Sequence, residues 1–457
     1  MRKIDMTKGN IIKSLFTLAL PIMGTSFMQM AYNMTDLIWI GKTGSKAVAA
    51  VGTAGFFMWF GFAFIMYTKL GAEIGVAQTV GAGDHEGTRK FVDGTIKINI
   101  FLGAMYAAIL VIFREQMIGF FNIEDKEVVS MGITYLRIVA LFANINFIIP
   151  LFTGIYNGLG DSKKPFLFNG IGLIVNIILD PLLILGIGPF PQMGVAGAAI
   201  ATVFSQVVVF IVFMINLRNH KDLFKGFKIF KMPDFEYVKK INKIGFPPGI
   251  QSALFTLIAM VIARIIASFG EIPIAVQKVG SQIEAISWMS ASGFSTALGA
   301  FTGQNYGAKK YDRVREGFKK AMSLMGVFGL FTSAVLIIFA EPLFAIFINE
   351  PEAIKVGTGY LKILGLSQLF MCIEITTAGA FNGIAKTSPP SIVSISFNIL
   401  RIPLAMYLAF GTSLGLEGIW WAITISSTLK GIVLFSWYIL YVRKFPDFGK
   451  DLSKEIA

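Results

Sequence analysis

One cysteine, Cys372, and two histidines, His85 and His220, are all that 457 residues offer of the side chains most used for disulfides, zinc and nucleophilic chemistry. A single thiol excludes an internal disulfide and a thiolate metal cluster. Two histidines in separate polar stretches do not make a metal site together. Charge is scarce too: Asp, Glu, Lys and Arg make up 15% of the chain, against roughly 25% in an ordinary soluble protein. No G-x-x-x-x-G-K-[ST] loop and no Gly-rich nucleotide fingerprint occurs, so no ATP-driven machinery is expected. No loop gathers His, Asp and Ser into a catalytic group. The chain reads as something other than an enzyme, with no cofactor.

What it has instead is apolar length. Hydrophobic residues make up 55% and Phe alone occurs 43 times, more apolar surface than a soluble core can hide. Stretches of roughly 20 residues, enough to cross about 30 Å of hydrocarbon, recur throughout. Twelve are expected, near 11–39, 51–73, 92–113, 131–155, 165–187, 194–217, 243–268, 276–299, 317–339, 357–381, 389–411 and 416–441. They are too long and too uniform for β-barrel strands. The first is too long for a signal peptide and holds the polar Gln29, Asn33 and Asp36. The expected fold class is an all-α integral membrane protein.

The net charge of +13 would suggest nucleic acid in a soluble protein. Its placement says otherwise. Arg2, Lys3, Lys8 and Lys13 precede the first span; Arg89, Lys90, Lys163 and Lys164 follow the second and fourth. Arg218, Lys221, Lys225, Lys228, Lys231, Lys239 and Lys240 fill the long connection between the sixth and seventh. Lys309, Lys310, Arg313 and Arg315 follow the eighth, and Arg443, Lys444, Lys450 and Lys454 the twelfth. Basic residues on alternate connections set both termini and the 218–242 loop in the cytoplasm of a plasma-membrane protein. Membrane lipids are the expected surroundings and nucleic acid is not a partner.

The sequence also repeats itself. A shift of 226 pairs Pro21 with Pro247, Ser26 with Ser252, Gly44 with Gly270, Gln78 with Gln304 and Arg89 with Arg315. Further on, Tyr156-Asn157-Gly158 answers Phe381-Asn382-Gly383, Asn176…Asp180-Pro181 answers Asn398…Ile402-Pro403, and Gly194…Gly197 answers Gly415…Gly418. Six spans per repeat is an even number, so both halves enter from one side as parallel repeats, with an axis along the membrane normal. Residues 1–217 form the N-terminal lobe, 218–242 a basic cytoplasmic linker and 243–457 the C-terminal lobe, the two six-helix lobes enclosing a central cavity. Such lobes suit alternating access.

Ionisable groups within spans cost several kcal/mol, which makes them functional candidates. On the first helix Gln29, Asn33 and Asp36 are spaced four and three apart, one face; on the fifth, Asn176 and Asp180 are spaced four apart, with Pro181 next. At 1.5 Å per residue, Asp36, Asp180 and Thr202 of the sixth fall roughly 7–12 Å below the outer ends of their helices. Three segments thus bring polar groups to one level. Two carboxylates in a dry space favour holding one proton between them, while Asn and Thr oxygens equally suit Na⁺. The plainer alternative is that Asp36 snorkels to the interface and Asp180 caps a bend. Pro21 removes a backbone hydrogen bond inside the first helix and supplies a hinge. Candidates to line the cavity are Gln29, Tyr32, Asn33, Asn157, Gln251, Gln282 and Glu374. In the C-terminal lobe Ile262 stands opposite Asp36 in the repeat; that lobe carries Arg264, Lys278, Glu284, Glu374 and Arg401, expected to neutralise one another.

The ordered spans with Pro21, Gln29 and Asp36, the Gly81-Ala82-Gly83 and Gln304-Asn305-Tyr306-Gly307 pair, and Asn157-Gly158-Leu159-Gly160-Asp161 resemble the multidrug and toxic compound extrusion (MATE) transporters, and within them the DinF-like branch. The resemblance covers nearly the whole chain. It implies efflux of small-molecule drugs and organic cations in exchange for H⁺ or Na⁺ by a monomer, with the coupling site on Asp36, Asn176, Asp180 and Thr202. It departs from the NorM-like pattern: the stretch from Pro247 to Phe269 has no carboxylate, and Glu374 stands about a turn from the expected acid, so a C-lobe cation site of that kind is not expected. A flippase for lipid-linked saccharides is the alternative, kept open by Arg264, Lys278 and Arg401.

Overall fold

The computed structural model describes residues 5–217, 223, 228 and 231–444. Arg2, Lys3, Arg218, His220, Lys221, Lys225, Lys450 and Lys454 lie outside the described residues, as does most of the 218–230 part of the expected linker. The first half runs α1 (Ile11–Gly41), α2 (Ser45–Gly81), α3 (His85–Ile112), a short α4 (Arg114–Gly119), α5 (Lys126–Leu141), α6 (Ala143–Gly158), α7 (Lys163–Leu185) and α8 (Gly194–Leu217). The second half repeats the series as α9 (Phe235–Ala267), α10 (Glu271–Gly307), α11 (Tyr311–Ile338), α12 (Ala340–Ala345), α13 (Pro351–Gly365), α14 (Gln368–Gly383), α15 (Ser388–Phe410) and α16 (Leu416–Lys444). No strand occurs among the described residues.

Nine of these helices are long and apolar enough to cross a bilayer, and the pairs α5–α6 and α13–α14 make two more. The twelfth span is α10, a 37-residue helix whose Glu271, Lys278 and Glu284 make it less apolar than the rest. The chain is a twelve-span membrane protein. The fourth and tenth spans are not the straight stretches expected at 131–155 and 357–381: they bend by 53° and 49°, at Phe142 and at 366–367, equivalent points of the repeat. No proline stands at either break; Pro150 lies eight residues beyond the first.

The repeat is visible in the backbone itself. Left-handed φ angles recur at Gly44 and Gly270, at Gly83 and Lys309, at Gly160 and Ala385, and at Gly194 and Gly415. Four turns are thus built twice. In two of them the second copy holds a side chain where the first holds glycine, at a cost of about 1–2 kcal/mol per L-residue in that region. Ala385→Gly is therefore expected to stabilise the protein by up to ~1 kcal/mol, read as a higher melting temperature in detergent; an unchanged or lower value would place that strain elsewhere.

Helix packing repeats too: α2 lies against α3, α5 and α6 as α10 lies against α11, α13 and α14, and α7 pairs with α8 as α15 with α16. Glycines set the closest seams. A Cβ on Gly154 or Gly158 of α6 would stand 2.8 Å from the Lys69 carbonyl or 2.6 Å from that of Glu73 on α2. A Cβ on Gly379 or Gly383 of α14 would stand 2.4 Å from the Ser295 carbonyl or 2.7 Å from that of Gly299 on α10. With lipid tails as apolar as leucine, this backbone contact rather than hydrophobic exclusion joins the helices.

The described chain forms two compact units, and the chain passes between them inside helices rather than in the 218–242 loop. One unit runs from Gly24 to Gly249; the other joins the segment ending at Met23 to everything from Ile250 on. The changeovers fall just after Pro21 and just after Pro247-Pro248. In the first unit the start of α9 docks on α2 and α3: Ile241 packs on Gly71 and Gly94, the Tyr67 hydroxyl donates to Asn242 Oδ1, and Lys90 pairs with Asp234 at 3.2 Å. Hydrogen-bonded to that ammonium, the Asp234 carboxyl is held below the usual carboxylate range. In the second unit the segment before α1 is captured by α10 and α11. Asn305 Nδ2 donates to the Met6 carbonyl at 3.1 Å, Lys310 Nζ to that of Thr7 at 2.8 Å, and Arg313 to those of Met6, Lys8 and Gly9. Met6, Leu15, Leu18 and Ala19 are fully buried beside Phe294, Phe301 and Phe318.

Candidate functional site

The acid centre lies wholly within the first unit, on three helices. Helical spacing puts Asn176 and Asp180 on one side of α7, where both are fully buried; Asn176 Nδ2 donates to Asp180 Oδ1 at 3.0 Å. Asp36 comes from the C-terminal half of α1, and Thr202 Oγ1 of α8 donates to its Oδ2 at 3.3 Å. The two carboxyls lie within hydrogen-bonding reach of each other, and Asn176 within reach of Asp36. Among the described residues no Lys or Arg is paired with either acid. Two carboxylates facing one another without a cation repel, and a proton between them supplies the donor that their contact lacks.

The unsatisfied atoms define the chemistry more closely. Asp36 Oδ1, Asp180 Oδ2 and Asn176 Oδ1 are all buried with no hydrogen-bond donor. Buried polar atoms are seldom left so. The side chains of Asp180, Asn176 and Thr202 all lie within reach of Asp36, and oxygens of these kinds suit a monovalent cation as well as a proton. Among the described residues no three His, Cys, Asp or Glu gather to hold a metal.

A hydroxyl collar surrounds the centre. The Tyr32 hydroxyl, one turn before Asp36, donates to the Thr202 carbonyl at 3.2 Å and meets the Ser205 hydroxyl, and Ser205 Oγ donates to the same carbonyl at 2.8 Å. Tyr135 of α5 lies within electrostatic reach of both acids. Neither Ser205 nor Tyr135 stands out in the sequence, since a lone hydroxyl in an apolar span carries no spacing signal.

Gln29, Asn33 and Gln282 are exposed, and Gln251 is half-buried. Asn157 is buried in the seam beneath α2, beside the buried carboxyl of Glu73. In the second unit Glu374 Oε2 pairs with Lys430 Nζ of α16 at 3.1 Å, a partner that the sequence reading missed. Arg264 and Lys278, expected to be buried against the acids, are exposed, and a long basic side chain so placed reaches polar surroundings at little cost.

The repeat gives the acid centre no twin. Asp36, Asp180 and Thr202 correspond to Ile262, Ile402 and Ile423, and these three isoleucines pack in one apolar cluster with Ile258, Ile266, Ala405 and Ile419. The same fold position holds a polar centre in one lobe and aliphatic packing in the other.

The family model described as MatE matches residues 21–182 and 247–407, one match per lobe. The chain belongs to the MatE family. Similar relatives include the "Probable multidrug resistance protein NorM" of Thermotoga maritima, 31% identical over 434 residues, with 93% of this chain and 92% of that protein covered. The "Probable multidrug resistance protein YpnP" of Bacillus subtilis is 26% identical, with 96% and 97% covered. A crystal structure of MATE in the bent conformation has the same fold, with a TM-score of 0.89 over 97% of this chain and 98% of that one at 24% identity. This MATE chain is thus a multi-pass multidrug efflux transporter by family, with transporters rather than enzymes for relatives. The comparisons favour that class over the saccharide flippase.

Proposed function

We propose that this MATE chain exports lipophilic organic cations across the plasma membrane, with both termini cytoplasmic, in exchange for protons bound between Asp36 and Asp180. The observation that carries this reading is the contact of two carboxyls, one fully and one partly buried, with no paired base among the described residues. In the outward-open state a proton enters the pair and removes the negative charge that favours a bound cation. α1 then bends at Pro21, and the drug leaves outward. In the inward-open state the pair loses its proton to the cytosol and the restored charge recruits another lipophilic cation. The exchange needs only that proton and drug favour different states and exclude one another.

The third unsatisfied oxygen, Asn176 Oδ1, favours Na⁺ as a second reading of the coupling ion, because a proton satisfies the carboxyls and leaves the amide oxygen without a partner. Ethidium efflux from proteoliposomes, driven separately by a pH gradient and by a Na⁺ gradient, distinguishes the two. Efflux under the pH gradient alone is the expected result; efflux under Na⁺ alone transfers the role to that ion, and none under either removes the antiporter reading. Competition also sets a sign in pH. Drug and proton contend for one charge, so ethidium affinity should rise as pH rises through the titration of the pair and fall as the pair takes up its proton. Fluorescence anisotropy of ethidium on purified protein over pH 5 to 9 reads this directly. A flat profile in a transporter driven by protons would separate the drug site from the acid pair.

A further inference from the structure

The C-terminal unit holds a second buried charge cluster, built on a different plan. Glu284 of α10, Glu374 of α14, Arg401 of α15 and Lys430 of α16 contribute two negative and two positive charges. Glu374 Oε2 and Lys430 Nζ are 3.1 Å apart, with side chains only 12% and 10% exposed. Arg401 Nε donates to Ser426 Oγ at 2.8 Å, and the guanidinium lies within electrostatic reach of both glutamates. Glu284 meets the Tyr360 hydroxyl of α13, which accepts from Gln277 Nε2 at 3.4 Å. The charged groups acting on Glu374 are therefore Lys430 and, further off, Arg401.

The repeat shows that this cluster belongs to one lobe alone. Glu284, Glu374, Arg401 and Lys430 correspond to Met58, Ile149, Leu179 and Val209. Each lobe carries charge where the other carries apolar side chains. The contrast is in balance as well as in place: among the described residues Asp36 and Asp180 have no paired base, while Glu374 has Lys430 and Glu284 has Arg401 within reach. A buried ion pair adds little net stability over an apolar pair of the same volume, so stability alone does not account for it.

We propose that Lys430 is a tethered counter-cation. Its ammonium holds, at Glu374, the position that a mobile monovalent cation would otherwise take, so the C-terminal lobe binds no coupling ion. Together with the function proposed above, on which this clause rests, one cation is carried per cycle, at the N-terminal lobe. Removing the ammonium exposes Glu374 as a new site for H⁺ or Na⁺.

The test counts cations bound per chain on purified full-length protein, by proton uptake on acidification with a pH indicator and by ²²Na⁺ binding. Lys430→Met is expected to bind one more cation than wild type, and Glu374→Gln added to it is expected to remove that cation. Lys430→Arg, which keeps a tethered charge, should keep the wild-type count. A folded Lys430→Met with the wild-type count overturns the proposal. Should Lys430→Met fail to fold, Glu374→Gln alone decides: an unchanged count is expected, and loss of one cation would show a mobile ion already at Glu374. Asp36→Asn keeps the two readings apart. If it loses no cation the N-lobe coupling site fails, whereas the gain in Lys430→Met stands or falls by itself.

Discussion

Asp36→Asn is expected to lower gradient-driven ethidium efflux about 100-fold, the size of a lost coupling of about 2.7 kcal/mol. Asparagine keeps the shape of the side chain and its acceptor toward Thr202, 3.3 Å away, but it cannot take up and release a charge. Asp180→Asn should do the same, since the pair titrates as one unit, and the double variant should be no worse than either single one. Folding should survive in all three, because an uncompensated buried charge has been removed rather than added. The measurement is efflux from proteoliposomes at matched protein load, with thermal melts as the folding control. Full coupled efflux in Asp36→Asn would remove the acid pair from the mechanism.

The second large effect is structural. Gly158→Leu in α6 would drive a side chain into the Glu73 carbonyl, which already stands 2.6 Å from the Cβ position, and Gly383→Leu would do the same at the Gly299 carbonyl, at 2.7 Å. Backbone cannot step aside as a side-chain tip can. Each is expected to reach or exceed the top of the roughly 1–3 kcal/mol that overpacking usually costs, and to abolish a monodisperse peak in size-exclusion chromatography. Gly52→Leu on α2 is the control: a Cβ there meets nothing within 4 Å, and wild-type behaviour is expected. If Gly158→Leu and Gly52→Leu melt alike, the seam between α2 and α6 is not the contact described.

Much of this molecule is legible before it folds. Apolar length fixes the spans because hydrocarbon leaves a backbone no partner but itself. The spacing of identical residues exposes the two lobes, and a four-residue interval suffices to place Asn176 and Asp180 on one helix face. What spacing cannot supply is the relation between helices. Gln29 and Asn33 share a face with Asp36 by count, yet they are exposed while Asp36 meets Thr202. Lys430 went unnoticed beside Glu374 because 56 residues separate partners that touch at 3.1 Å. The bends at Phe142 and at 366–367 have no proline to announce them. The changeovers after Pro21 and after Pro247-Pro248 were equally hidden, because which lobe a half-helix docks on depends on hydrogen bonds to distant side chains such as Asn305 and Arg313. Sequence alone determined the membrane, the repeat and the acidic helices, since these follow from the chemistry of single segments. Which acid is left without a base and which is given one was decided only in the tertiary structure, because charge balance at a buried site is a sum over helices that meet only when the chain has packed.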